Sequence, residues 1–371
     1  MAVTGFSGIT FPFEGLAPGV NPLDETFINT DGASLRIFSL RSVGEPPKGQ
    51  LVNTPPPFEV KASQIGQVFG LAYDDGDGIA PSGEAGDEVG DLIPNLYATA
   101  TSLLGLQIVI PDADADGRPE RTRKGQAGAE FMSGQFGIAN GGGLGSIWKI
   151  DGRTGEVSLF ANVKLDDVAN SGPGLGNIAF DAATRQLFVS DLDTGMIHRF
   201  DLQGNDLGRF DHGESGRPNK GLKPVSLDAA NRMDITSATF DTESPDTWGF
   251  ADKQRRVHGL AVHSGRLYYA VEEGPQIWSV GINGDGSFAA DARWELDVKA
   301  KRKFPVTDIV FDRKGYMYLA QRGHVQNRYD YSRFAQPERA MVLRYWREAP
   351  DDPETESIWV EAPQEYAVGF P

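Results

Sequence analysis

The chain has 371 residues, 39% of them hydrophobic and 23% charged, which suffices for one large β domain or two ordinary ones. Its 35 Lys and Arg stand against 52 Asp and Glu, a formal net charge of −17 that argues against nucleic-acid binding, since phosphate contact needs basic patches. There is no cysteine, which removes disulfides, thiolate metal sites and cysteine nucleophiles together.

The opening, MAVTGFSGITFPFEG, shows no basic region followed by an apolar run, and no apolar stretch approaches the ~20 residues of a membrane span. The chain is therefore expected to be either cytosolic or a trimmed piece of an exported protein. Composition alone does not choose between the two; the location expected is extracellular or periplasmic.

Taken in chain order, the segments suggest strands joined by tight turns. TFINTDGASLRIFSL at 26–40 has a strand–turn–strand shape. QVFGLAYD at 67–74 and NLYATAT at 95–101 read as a first and a second strand, and GSIWKIDGRTGEVSLFANV at 145–163 supplies a third and fourth. The clearest unit is 176–201, GNIAFDAATRQLFVSDLDTGMIHRFD. It is followed by HGLAVHSGRLYYAVEEGPQIWSVGI at 258–282 and VTDIVFDRKGYMYLAQ at 306–321. Each unit opens with an apolar strand, often ending in Asp, then a turn and an LFVSD-type strand. Alternating apolar positions with Gly, Asn and Asp punctuation predict antiparallel strands, and four per repeat predicts propeller blades. The expected fold is all-β: one β-propeller over 1–371 with four-stranded antiparallel blades, five countable and six possible. Two stacked sheets are the alternative.

The 176–205 segment resembles an NHL repeat, and the set resembles the gluconolactonase and strictosidine-synthase-like propellers. That resemblance implies a propeller over most of 26–361, but such folds carry many unrelated functions.

Four long insertions interrupt the repeats, at 75–94, 102–144, 214–256 and 322–337. Strands in a blade alternate in direction, so loops joining strand two to three, and strand four to the next strand one, share a face. By that parity 102–144, 214–256 and 322–337 lie together, where recognition or catalysis is expected. The insertion at 75–94, with Asp74, Asp75, Asp77, Glu84 and Asp87 in or beside it, falls on the other face and reads as a solvated acidic loop.

PDADADGRPE at 111–120 has the spacing of a cation loop. Asp112, Asp114 and Asp116 occupy positions one, three and five, with Gly117 permitting a sharp turn. Arg118 offers its carbonyl and Glu120 stands at position nine. Oxygen ligands of this kind select Ca²⁺. Position 12 is Arg123, so the EF-hand glutamate is missing, and the loop resembles those of integrin-type propellers instead. Its expected role is to order the insertion. An exposed polar hairpin is the alternative.

For catalysis, the resemblance to lactonase propellers implies a metal at the axis held by acids or amides at the starts of first strands. Aligning the repeats places Phe69, Gly176, His258 and Thr307 there, none a carboxylate. A one-residue slip offers Asn177 and Asp308. His258 is the candidate base or ligand-binding residue near the axial channel. No HExxH or GxSxG motif occurs, and the glycine runs at 140–146 and 172–177 read as turns. The insertion GHVQNRYDYSRF at 323–334 groups His324, Asn327, Arg328, Tyr329, Tyr331 and Arg333, a composition suited to a recognition surface.

The sequence thus predicts a calcium-stabilised recognition or scaffold propeller, exported, binding a protein or glycan through its insertion-bearing face. The alternative is a metal-dependent lactonase-like hydrolase or lyase acting at the channel through His258, Asn177 and Asp308.

Overall fold

The computed structural model describes residues 1–10, 16, 18–20, 22, 25–39, 55–76, 93–102, 108–110, 113, 115, 120–122, 126–131, 137, 141–234, 236–241, 244, 247–300, 303–323, 339–349 and 357–362. Within them the chain is nearly all β, arranged as five blade-like antiparallel sheets and a few short hairpins.

The first blade has three strands, Ala2–Thr4, Ala33–Ile37 and Phe58–Lys61. The second takes Val68–Tyr73, Leu96–Ala100, Ser146–Ile150 and Val157–Asn162 in that order. The third takes Leu175–Asp181, Gln186–Asp191, Met196–Asp201 and Asp206–Asp211. The fourth takes Val257–His263, Arg266–Val271, Gln276–Gly281 and Arg293–Asp297. The fifth takes Val306–Phe311, Met317–Gln321, Met341–Ala349 and Ile358–Glu361.

The aspartates that close many strands have a mechanical reason. The Asp181 carboxylate accepts from the amides of Ala183 and Thr184, Asp201 from Gln203 and Asn205, and Asp312 from Lys314 and Tyr316. Each carboxylate satisfies amides that the turn would otherwise leave unpaired, which fixes the reversal after the strand.

Successive blades pack inner strand beside inner strand, first to second through to fifth. Apolar side chains fill every gap between neighbours. Leu35 and Val60 meet Trp148 between blades one and two, and Tyr97 and Ile147 meet Leu187 and Phe200 between two and three. Phe188 and Phe210 meet Tyr269 and Trp278, and Tyr268 meets Ile309 and Leu343 further round. Trp148 and Trp278 are fully buried, so truncating either to alanine should cost about 3–5 kcal/mol. His263 stacks on Phe311 with ring centroids 4.2 Å apart, a packing role across blades four and five.

The row does not close. Among the described residues no comparable packing joins blade five to blade one. The free face of blade five exposes Val310, Val342 and Trp346.

One sequence expectation is corrected. The 26–40 segment is not a hairpin within one blade, because Phe27–Ile28 pairs with Ile9–Thr10 while Ala33–Ile37 pairs with Ala2–Thr4 and Phe58–Lys61. The turn itself forms, with the Asn29 side-chain oxygen Oδ1 accepting from the amides of Asp31 and Gly32. A Cβ at Gly32 would lie 1.9 Å from the Ser7 carbonyl oxygen, so the N-terminal segment crosses against this turn and takes the place of a local partner.

Candidate functional site at the propeller axis

The same irregularity occurs at the start of four inner strands. In blades two to five the pairing register shifts between Val68 and Leu71, Leu175 and Ile178, Val257 and Leu260, and Val306 and Asp308. A bulge inserts one extra residue and re-aims the side chains around it. It explains the two alignments that the sequence allows, because the pairs Phe69–Gly70, Gly176–Asn177 and His258–Gly259 each stand where a regular strand has one residue.

Glycine is required at these bulges because the backbones touch. A Cβ on Gly70 would lie 2.8 Å from the Asn177 Cα and 2.9 Å from the Gly176 oxygen. One on Gly259 would lie 3.0 Å from the Asp308 nitrogen, and one on Gly176 3.1 Å from the His258 oxygen and 2.3 Å from the Ser190 side-chain Oγ. Hydroxyls stitch the same layer from blade to blade. Thr4 Oγ1 donates to the Phe69 oxygen at 2.7 Å. Thr99 Oγ1 accepts from the Gly70 amide and donates to the Gly176 oxygen at 2.7 Å. Ser190 Oγ accepts from the Asn177 amide and donates to the His258 oxygen at 2.7 Å.

Asn177 and Asp308 meet directly, Nδ2 donating to Oδ1 at 2.7 Å, while the same Asp308 oxygen also accepts from the Ile309 amide. Burial raises the Asp308 pKa, opposed by those hydrogen bonds. As an axial metal site this donor set does not fit. It offers one carboxylate already hydrogen-bonded to one amide, and the corresponding bulges of blades two and four carry Gly70 and Gly259. Among the described residues no three His, Asp or Glu side chains converge as a metal would need.

Above this layer, toward the insertion-bearing face, lies a charged cluster from blades four and five. His258 Nε2 lies 2.9 Å from Glu272 Oε2, and Arg256 Nη1 donates to the same oxygen at 2.6 Å. Burial alone would raise the Glu272 pKa, but the His258 hydrogen bond and the Arg256 charge hold it at about 2. Burial lowers that of His258, with the Glu272 bond opposing, so the imidazole is neutral. Arg322 joins from the end of Met317–Gln321, where burial lowers its pKa to about 10. The three candidates therefore fall into two groups, Asn177 with Asp308 in the bulge layer and His258 with Glu272 above it. Glu272, Arg256 and Arg322 were missed, because no spacing links them in sequence.

The 214–256 insertion covers the blade one to three side of this face. Met233, Phe240, Trp248 and Phe250 bury themselves against Ile28, Ala100 and Leu192. Fully buried Arg255 anchors it, donating to the Thr194 and Val225 oxygens and to Asp211. Arg232 reaches Asp193 and the Ala169 oxygen.

Of the acidic loop, Glu120 lies in the described residues. It pairs with Ile110 as the return strand of a hairpin, and its Oε2 accepts from the Ala113 amide at 2.6 Å. Asp112, Asp114, Asp116 and Arg118 lie outside the described residues, as do His324, Asn327, Arg328, Tyr329, Tyr331 and Arg333. On the opposite face, Asp74 accepts from the Gly76 and Asn95 amides, the Asn95 side chain and Tyr97, a structural carboxylate. No helix among the described residues is long and apolar enough to cross a membrane.

No family model matches the chain, and no curated protein matches it. Solved structures similar to it include the nidogen/laminin complex, at 14% identity over 76% of this chain and 72% of that one, TM-score 0.34. Another is regucalcin from Agrobacterium tumefaciens, a calcium-binding protein, at 12% identity over 77% and 72%, TM-score 0.34. Virginiamycin B lyase from Staphylococcus aureus follows at 11% over 74% and 67%, TM-score 0.33. At such identities and scores, what these proteins bind or catalyse does not transfer to this chain.

Proposed function

We propose that the chain is an exported recognition or scaffold propeller, ordered by calcium, whose insertion-bearing face meets a protein. One observation carries this reading: the axis at the bulge layer is filled by backbone. Glycines 70, 176 and 259 bring successive inner strands into contact, and hydroxyls occupy the polar groups that a substrate would need. Function then falls to the surface that the rigid row of blades displays.

Calcium is supported by the spacing of Asp112, Asp114, Asp116 and Glu120, with the Arg118 carbonyl completing the set. The Glu120 hairpin is consistent with it, since its return strand brings that carboxylate to the Ala113 amide. The ion would supply order to the 102–144 insertion rather than chemistry. Binding at 100 times Kd adds about 2.7 kcal/mol. A chelator should therefore lower the melting temperature, and unchanged melting contradicts the calcium assignment.

The recognition face is tested by retention of secreted partners on immobilised protein. Tyr329→Ala and Arg328→Ala should abolish retention, whereas Arg185→Ala on the opposite face should not. Equal retention by all three removes this face from the account. The lactonase-like alternative would use His258, Asn177 and Asp308 at the axis, and the described residues there offer no converging metal donor set. Metal-stimulated lactone turnover lost in Asp308→Asn would establish it in place of the recognition reading.

A further inference from the structure

Blade one has three strands where the others have four, and its hydrogen bonds show which place is unfilled. Thr4 Oγ1 donates to the Phe69 oxygen as Thr99 does to Gly176 and Ser190 to His258, each at 2.7 Å. Thr99 and Ser190 sit in the second strands of blades two and three, and their acceptors in the innermost strand of the next blade. Ala2–Thr4 therefore holds a second-strand place, with Ala33–Ile37 and Phe58–Lys61 as third and fourth. Among the described residues no strand lies in the innermost place of this blade.

The inner side of Ala2–Thr4 presents backbone. Met1 and Phe38 exchange backbone hydrogen bonds, and the Gly5 amide donates to the Ser34 oxygen. By antiparallel alternation Val3 turns its polar groups toward Ala33–Ile37, while Ala2 and Thr4 turn theirs the other way. The Thr4 amide and carbonyl make no hydrogen bond among the described residues. An open edge of this kind is a template for one more strand.

The sequence past blade five matches that template. The innermost strands of blades two to five contain GLAY, NIAF, GLAV and DIVF. After Ile358–Glu361, residues 363–371 read PQEYAVGFP, and AVGF at 367–370 repeats the run. The order is also right, since an outermost strand leads into the next innermost one, as Phe58–Lys61 leads into Val68–Tyr73. The Ala362 amide is held by the Arg344 oxygen at 2.9 Å. From there to Ala367 an extended chain reaches about 17 Å, against about 14 Å for three strand spacings.

We propose that residues 366–370 dock as the innermost strand of blade one, antiparallel to Ala2–Thr4, and join the two ends of the row. Leu71 lies opposite Ala98 and Ile178 opposite Val189, each partner directly preceding the hydroxyl residue. Val3 directly precedes Thr4, so Val368 lies opposite Val3. This is independent of the recognition surface proposed above.

The absence of native cysteine makes the register testable by cross-linking. Val3 and Val368 form a pair without mutual backbone hydrogen bonds, whose Cα separation of about 4.5 Å suits a disulfide. In the full chain, Val3→Cys with Val368→Cys should oxidise to a cross-linked monomer. It should do so at least about tenfold faster than Val3→Cys with Gly369→Cys, because adjacent strand residues face opposite ways. Equal rates, or no cross-link, would overturn the assignment. A disulfide-linked dimer would overturn it too, showing that the strand comes from a second copy. Should the variants fold poorly, amide exchange in the unaltered chain decides. Thr4 should exchange as slowly as Val3, and fast exchange at Thr4 beside slow exchange at Val3 would leave the edge unpaired and the proposal wrong.

Discussion

Two layers of the axis, adjacent in space, use polar groups in opposite ways. In the bulge layer the Thr4, Thr99 and Ser190 hydroxyls and the Asn177 and Asp308 side chains are all hydrogen-bonded, mostly across blades. In the mouth above it, His258 Nδ1 is buried with no hydrogen-bond partner among the described residues. Satisfied polar groups rigidify a fold, whereas unsatisfied ones mark where stability has been given up. The difference separates the part that holds the blades from the part that meets solutes.

Substitutions should break the two layers unequally. The largest effect is expected from Gly70→Val or Gly259→Val, which force a side chain into backbone. Each should cost about 3 kcal/mol or more, read by urea denaturation. Next is Thr99→Val, which strips a partner from both the Gly70 amide and the Gly176 oxygen at nearly constant volume. Its expected cost is about 1–3 kcal/mol. In the mouth, Arg322→Gln should stay within about 0.5 kcal/mol of the parent or exceed it, because it removes a charge that burial disfavours. A loss comparable to that of Thr99→Val would erase the distinction between the layers.

Titration sharpens the comparison further. Burial, reinforced by the Arg217 and Arg255 charges, lowers the pKa of His212 from 6.5 to about 3. A depressed folded pKa means that the unfolded chain binds the extra proton. The stabilisation is complete above pH 6.5 and is lost as pH falls toward 3, at up to about 1.4 kcal/mol per unit. His212→Gln should flatten that slope. Glu272, at about 2 in the fold, adds its own loss only as pH falls below its ordinary 4.5.

Much of the architecture was legible because the repeats are local. Strands such as LFVSD and MIHRF, and the aspartates that pin their turns, declare themselves within a few residues. The first blade was not legible, since Ala33–Ile37 pairs with residues about thirty positions away on either side. Asn177, Asp308 and His258 were found by aligning repeats. Their grouping was not, because a bulge shifts the register by one and no sequence pattern announces it. Glu272 and Arg322 became visible only once blades four and five were adjacent, and nothing in their spacing signals the pairing. Thr99 and Ser190 sit in ordinary strands, and their roles come from what the neighbouring blade presents.

Amide hydrogen exchange at Gly70 and Asn177 tests the central claim most directly, since both amides donate to hydroxyls of the bulge layer. If the packed inner strands act as one continuous scaffold, both should exchange only on global unfolding, as slowly as Val189 and Ile277 in the blade cores. Exchange as fast as at Ser237 on the covering insertion would show an axis that opens locally, and would contradict the account.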